Sequence, residues 1–407
     1  MKKLIVMTLL IVLAFSLCAC AENGATGSSD AQNPSNAHTH SWVEATCTQA
    51  KTCTICQATE GSAKGHTPQK IDAVAATCTT AGSTEGSNCA TCKAVLVEPT
   101  VVEAKGHDYQ DRTCSVCGSL KASEGLNFQQ GWNSDYHVAG IGTCTDTEIV
   151  IPDTYNGCPV TGIVHGAFEG CDEIVSVYIP DSVTTFLGNT FASCKNLTDV
   201  RFPNGLTKIA SGTFLRCSSL KSVVIPDSVT DIEQYAFADC SSLTDIQLPN
   251  SLTRIRYQAF TGCSSLKSIV IPDSVTDIGE EAFKDCTSLS SIQIPDSVTV
   301  IESRTFAQCE NLTSIIIPNS VVSIKGGAFG NCYSLTNITI PVSVTSIGNA
   351  FEYCMKLSAI TYMGTIEQWN AIDLGNFNAL KGDYYMQSGL YTKEIICLDG
   401  TIPLPLK

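Results

Sequence analysis

The sequence predicts a repeat solenoid, mainly β. Coils of 23 residues stack into a parallel sheet with short helical turns, preceded by small Cys/His modules. Three observations predict it. Cysteines recur at Cys171, Cys194, Cys217, Cys240, Cys263, Cys286, Cys309 and Cys332, each 23 residues apart, and then at Cys354 after 22. An aromatic column keeps the same beat at Phe168, Phe191, Phe214, Phe237, Phe260, Phe283, Phe306, Phe329 and Phe351. So does a proline column, Pro180, Pro203, Pro226, Pro249, Pro272, Pro295, Pro318 and Pro341. A unit this short cannot bury its apolar face alone and must stack on its neighbours.

The chain starts with export chemistry. Met1, Lys2 and Lys3 are followed by an apolar run from Leu4 to Phe15, which is too short to span a bilayer and reads as a signal peptide, residues 1–19. Leu17-Cys18-Ala19-Cys20 resembles a bacterial lipobox, with Cys20 as the lipidated cysteine because Ala19 before it is small. Two or three acyl chains are enough for stable anchoring. Residues 20–37, rich in Gly, Ser, Asn and Ala, have no apolar periodicity and read as a flexible tether.

Residues 38–118 change composition. Three copies each carry Ala-Thr-Cys or Arg-Thr-Cys and a Cys-x-x-Cys, and the first two close on Gly-His. Grouping ligands within each copy gives two sets, Cys47, Cys53, Cys56 with His66, and Cys78, Cys89, Cys92 with His107. Three cysteines and a histidine suit structural zinc, because a Cys-x-x-Cys turn places two thiolates on one tetrahedral ion. Disulfides are the alternative for an exported chain. The repeated Gly-His favours metal, since a disulfide framework has no use for histidine. Cys114 and Cys117 in the third copy do not close a site alone. Either staple is structural, because segments so short and so poor in apolar residues need one.

Residues 119–133 read as a linker and 134–362 as the solenoid, beginning with an irregular coil in which Cys144 and Cys158 are a disulfide candidate. One regular coil shows how the residues divide. Leu220, Val223 and Ile225 point inward from a strand that Pro226 ends, having no N–H for the ladder. Asp227 and Ser228 make the turn, Val229 and Ile232 return to the core, and Ala236 and Phe237 seal it with a short helical or 3₁₀ turn. Strands about 4.8 Å apart make ten coils a rod of about 45–50 Å. Stacked cysteines share that separation, wider than a disulfide prefers, so the column reads as buried thiols acting as small hydrophobes. The residues after the prolines run Asp181, Asn204, Asp227, Asn250, Asp273, Asp296, Asn319 and Val342, a mixture of Asp and Asn with one adjacent acid pair, which suits Asx turns better than a calcium column. Outward strand positions do not keep the beat. They are Tyr178, Arg201, Val224, Gln247, Val270, Gln293, Ile316 and Thr339, half of them apolar or aromatic, and they form the candidate binding face. Residues 363–407, with Trp369 and the strand-like "KEIICLDG", read as the cap that an open solenoid end requires.

The repeat resembles that of the BspA-type leucine-rich repeat proteins, close to "F-x-x-C-x-S-L-x-x-I-x-I-P-x-S-V-x-x-I", over residues 135 to 362. No asparagine ladder follows the strand, which favours a coil narrower than the usual horseshoe. The Cys/His copies resemble short repeats on surface proteins of anaerobic Gram-positive bacteria. The resemblance implies an exported, lipid-anchored cell-surface protein whose partners are host extracellular matrix proteins or surface glycans. Composition excludes some classes directly. A formal charge of −15 with 24 Lys and Arg leaves no basic patch for nucleic acid. No Gly-x-Ser-x-Gly, His-Glu-x-x-His or phosphate loop is present, and no histidine follows His165, so the chain reads as a recognition or adhesion protein and not an enzyme. A structural spacer or envelope scaffold, or a carbohydrate binder, is the other reading.

Overall fold

The computed structural model describes residues 39–110, 112–374 and 392–404. The signal segment 1–19, Cys20 and the tether 20–37 lie outside them. The chain divides into two compact units, Met1–Gly106 and His107–Lys407.

In the second unit each coil closes on its neighbours through three hydrogen-bonded ladders, and each ladder follows from residue type. The strand Ser222–Val224 pairs in parallel with Asp245–Gln247, matching Val223 to Ile246. The return segment Asp231–Ile232 pairs with Arg254–Ile255, and that with Asp277–Ile278. The third ladder runs through the phenylalanine backbone: the Phe214, Phe237 and Phe260 N–H groups donate to the Ala236, Ala259 and Ala282 carbonyls at 2.8, 2.8 and 2.9 Å. Single 3₁₀-type turns carry this side, with the Ala238 N–H donating to the Tyr235 carbonyl and the Cys240 N–H to the Phe237 carbonyl. Tyr235 (φ 58°) and Asp239 (φ 57°) bracket the turn in the left-handed region. Glycine takes the same two positions in neighbouring coils, at Gly212 (φ 63°) and Gly262 (φ 72°). The stack therefore imposes the conformation, and glycine only relieves it.

The inward residues fill one core. Leu220, Val229, Ile232, Phe237 and Cys240 are all fully buried. The phenylalanine rings stack face to face along the whole solenoid, with centroids 5.3 Å apart between Phe237 and Phe260 and 5.4 Å between Phe260 and Phe283. The cysteines do more than fill space. Each thiol from Cys194 to Cys354 donates to the carbonyl of the phenylalanine one coil back, as Cys217 does to Phe191 at 3.1 Å and Cys263 to Phe237 at 3.2 Å. Burial pushes these thiols up, Cys194 and Cys354 to about 12. Serine after the proline turn adds a further link: Ser228 and Ser274 hydroxyls donate to the Leu206 and Leu252 carbonyls, both at 2.6 Å.

Both ends are closed. Asn127–Gln130, within the stretch read as linker, forms a strand antiparallel to Tyr136–Gly140, which pairs in parallel with Cys158–Ile163. Cys144 and Cys158 are not bonded to one another. At the other end Ala359–Tyr362 pairs with Glu394–Cys397, and a hairpin adds Gly400–Pro403. Thr365 caps the helix Ile366–Asn370 with a reciprocal Gln368 capping box. That helix buries Trp369 edge-on to Tyr362 at 5.3 Å. Trp369 is a capping residue, as its sequence context suggested.

In the first unit each copy is a small antiparallel hairpin sheet. Trp42–Val43 pairs with Lys51–Cys53, which pairs with Thr59–Glu60. Pro68–Ile71 pairs with Gly86–Cys89, which pairs with Val95–Val97. An extra pair, Gly82–Ser83 with Val101–Val102, accounts for the greater length of the second copy.

Two outcomes test this packing. Phe260→Ala lowers the unfolding free energy by about 3–5 kcal/mol, read from the urea midpoint, because it removes a ring from the middle of the stack. Iodoacetamide at neutral pH leaves Cys194 to Cys354 unmodified in the native protein and labels them on unfolding, since buried thiols are not nucleophiles.

Candidate metal centre and recognition face

The Cys-x-x-Cys turns are built to hold thiolates. Each sits at the end of a hairpin strand, where the chain turns back and its N–H groups point at the first sulfur. The Ile55 N–H donates to Cys53 Sγ at 3.4 Å, and the Gln57 N–H to the Cys53 carbonyl at 3.0 Å. Backbone donation from Cys92, with help from His66, pulls Cys89 down to about 5. Backbone donation from Cys117 pulls Cys114 down to about 5 as well. Gln57 (φ 62°) and Lys93 (φ 62°) occupy the same left-handed position after the second cysteine of each pair.

The strand pairing decides which histidine meets which cysteines, and it is not the grouping within copies. Trp42 pairs with Cys53, so His40 arrives beside Cys53 and Cys56, with its Nδ1 at 3.4 Å from Cys56 Sγ. Pro68 pairs with Cys89, so His66 arrives beside Cys89 and Cys92, with its Nδ1 at 3.4 Å from Cys92 Sγ. Cys47 then reaches over from the first copy, its Sγ 3.6 Å from Cys89 Sγ. The first unit therefore gathers Cys47, His66, Cys89 and Cys92 in one place and His40, Cys53 and Cys56 in another. The set Cys47, Cys53, Cys56 and His66 is not brought together, nor are Cys89 and Cys92 joined to Cys78 and His107. In the second unit His107 serves the pair that follows it, with Nδ1 at 3.3 Å from Cys117 Sγ. The hydrogen bond to Cys114 raises the His107 imidazole, against burial, which lowers it. Cys78 is buried in the first unit, where Gly106 N–H donates to its carbonyl at 3.0 Å. His40, which the reading within copies left without a role, is a ligand candidate. Three Cys-x-x-Cys pairs with one histidine ahead of each was the signal that could have found it.

The four-residue set fits a tetrahedral metal ion. All its ligand atoms lie within 4.8 Å of one another. Bonds of 2.0–2.3 Å to a tetrahedral zinc put neighbouring ligands roughly 3.3–3.8 Å apart, the range of these contacts. In the metal-free state hydrogen bonding to Cys89 holds the Cys47 proton and raises it to about 11, so an ion would displace that proton. These Cys/His groups could hold a metal. No disulfide joins any of the described cysteines.

The eight outward strand residues form one column on the solenoid sheet. Tyr178 pairs with Arg201, Val224 with Gln247, Gln293 with Val270 and Ile316, and Ile316 with Thr339. Val224, Val270 and Ile316 are 62, 82 and 77% exposed, on alternate coils with a glutamine between. At the start of the column Arg201 lies over the Tyr178 ring at 4.9 Å. That pair borders a recess of about 320 Å³ that also takes in Glu148, Asp199, Arg112 and Leu120.

Residues 143–267 and 253–372 match the BspA type Leucine rich repeat region in 6 copies. The chain belongs to this family. Solenoids of this BspA type are typically non-catalytic. Among solved structures, the T. pallidum Leucine Rich Repeat protein is 27% identical, with 52% of this chain and 88% of that one covered and a TM-score of 0.39. A leucine rich cell surface protein from Faecalibacterium prausnitzii is 26% identical over 63% of this chain and 98% of its own, with a TM-score of 0.33. The pneumococcal vaccine antigen PcpA is 17% identical over 60% and 82%, with a TM-score of 0.44. No curated protein matches the sequence. Among the described residues no helix is long and apolar enough to cross a membrane.

The regrouped ligands give a direct test by zinc titration of the full chain. Cys47→Ser and Cys89→Ser each weaken the same bound equivalent by about 10–100-fold, and Cys53→Ser leaves that equivalent intact. Grouping within copies requires the reverse, with Cys47→Ser and Cys53→Ser sharing an equivalent.

Proposed function

We propose that this BspA-type chain is a surface recognition protein that holds a macromolecular partner on the outward column of its solenoid and catalyses nothing. The observation that carries this is the alternation of the exposed Val224, Val270 and Ile316 with Gln247 and Gln293 along one outward column of the sheet. Exposed apolar residues at every second coil recur about 9.6 Å apart on a rigid surface, which suits an extended partner running along the stack. Tyr178, Arg201 and the recess beside them add an aromatic and charged end to that track. Host extracellular matrix proteins or surface glycans are the partners this face is offered to. The basic n-region, the short apolar run and the lipobox at Cys20 support export and lipid anchoring at the bacterial surface. Zinc in the Cys/His hairpins would stiffen the spacer between anchor and solenoid.

Replacing Val224, Val270 and Ile316 together by Ser removes binding to immobilised matrix proteins and glycans, measured by surface plasmon resonance, while the thermal midpoint moves by no more than a few degrees. Exposed side chains far from the core contribute little to stability. Undiminished binding by the triple variant places recognition on another face. A chain that binds none of these partners, with the column intact, favours the spacer role.

A further inference from the structure

The hairpin at the start of the solenoid ends in a loop that is fixed from beneath and offers one large side chain to water. Gly131-Trp132-Asn133-Ser134 lies between the strands Asn127–Gln130 and Tyr136–Gly140. Asp135 at its foot is buried, and its carboxylate holds the loop from inside. Its Oδ1 accepts the Asn133 N–H at 3.1 Å, its Oδ2 accepts the Thr161 hydroxyl, and His137 Nε2 lies 3.6 Å from Oδ2. The Gly131 N–H donates to the Asp135 carbonyl at 2.9 Å. A β-carbon at Gly131 would stand 2.2 Å from Asp135 Oδ1, so only glycine fits over the carboxylate. Ser134 takes a left-handed φ of 57° to complete the turn. Below the loop Phe128 stacks on Tyr155 at 4.0 Å and Tyr136 meets the same ring edge-on at 5.0 Å, which anchors both strands. Trp132 at the tip is 99% exposed, the most of any large apolar residue among the described ones, whereas Trp369 is buried and Trp42 half-buried. Packing does not account for it, since tryptophan is ordinarily drawn largely out of water. A slack loop does not account for it either, because the buried carboxylate, the obligatory glycine and the left-handed serine over-determine the turn.

We infer that Trp132 is a stacking platform for one ring of a neutral glycan. The ligand class follows from what flanks the indole. Leu126 to Ser134 contains no charged residue, and Gln129, Gln130, Asn133 and Ser134 present exposed amides and a hydroxyl. The face of an indole is negative and attracts the polarised C–H bonds of a sugar ring. Amides beside it donate to and accept from sugar hydroxyls at the same time. With no Lys or Arg on the loop, nothing there draws an anionic headgroup or a sulfated chain. The site is separate from the outward column. Its hairpin continues through Cys158–Ile163 to the return strand Thr185–Phe186, whereas Tyr178 and Arg201 pair in the other sheet. A single ring on a single indole is held weakly, so Trp132 adds a contact to a glycan-coated surface and does not tether the chain by itself.

The test titrates soluble cellohexaose, maltohexaose and chitohexaose into the full chain, read by tryptophan fluorescence and by ligand-observed NMR. At least one of them changes the emission saturably. Trp132→Ala weakens that binding at least about tenfold while the thermal midpoint stays within a few degrees, and Trp132→Phe, which keeps an aromatic face, loses less. Gly131→Ala keeps the indole but displaces the loop, and it weakens binding as well. Replacing Val224, Val270 and Ile316 by Ser leaves these short sugars bound as before. Three results overturn the inference: no neutral oligosaccharide moves the emission, Trp132→Ala binds as tightly as the wild type, or Trp132 responds only to a heparin hexasaccharide or to phosphatidylcholine vesicles. Loss of sugar binding in the column variant with Trp132→Ala unaffected also overturns it, and returns glycans to the outward column. Failure of the column to hold matrix proteins leaves the Trp132 result standing, so the two readings fail separately.

Discussion

Everything in the solenoid depends on one constraint: a 23-residue coil must present the same atoms to the coil above and the coil below. Three backbone ladders set the rise per coil, and any side chain on the inside then meets a copy of itself. That is why phenylalanine rings stack face to face from Phe168 to Phe351. It also explains why cysteine suits its column. It is small enough to sit about 4.8 Å from its equivalents, and its thiol can reach back to a phenylalanine carbonyl, which a valine or alanine there could not bond. The serine of each proline turn answers the same demand at another corner. Hydrogen bonds between coils thus recruit side chains as well as backbone, and the coil tolerates left-handed Tyr235 and Asp239 because the ladder on either side fixes them.

This constraint separates structure from recognition. Positions that keep the beat are committed, so variation is confined to positions that face solvent. The outward strand column varies from Arg201 to Val224 to Gln247 without disturbing Val200, Val223 or Ile246 behind it. That column is free to change from coil to coil while the core stays fixed. The N-terminal hairpins solve the same problem of small size by a different route. They have almost no apolar core, and thiolate-holding turns, with a histidine ahead of each, replace it.

Most of the solenoid was legible in the sequence because each position is stated eight or nine times over. Leu220, Val223, Ile225, Val229 and Phe237 all fall where the period puts them. The ligand sets were not legible in the same way. Gly-His closes the first two copies in the sequence, which invites grouping His66 with the cysteines before it. In the folded chain the residue two after each histidine pairs across the hairpin with the first cysteine of the following Cys-x-x-Cys, so the histidine belongs to what comes next. Antiparallel pairing was the missing information, and three copies of differing length were too few to reveal it by periodicity. The strand Asn127–Gln130 escaped for a related reason, since it lies before the beat begins.

Each coil is an interchangeable unit whose stability comes from its two interfaces. Deleting residues 240–262, one whole coil, tests it most directly by circular dichroism and thermal unfolding. The expected product is a folded, monomeric protein with the wild-type spectrum per residue and a cooperative transition only a few degrees lower, because Cys217–Asp239 then stacks on Cys263–Asp285 with every ladder intact. A deletion product that is unfolded or aggregated would contradict it, and would mean that particular coils, and not the repeated register, hold the solenoid together.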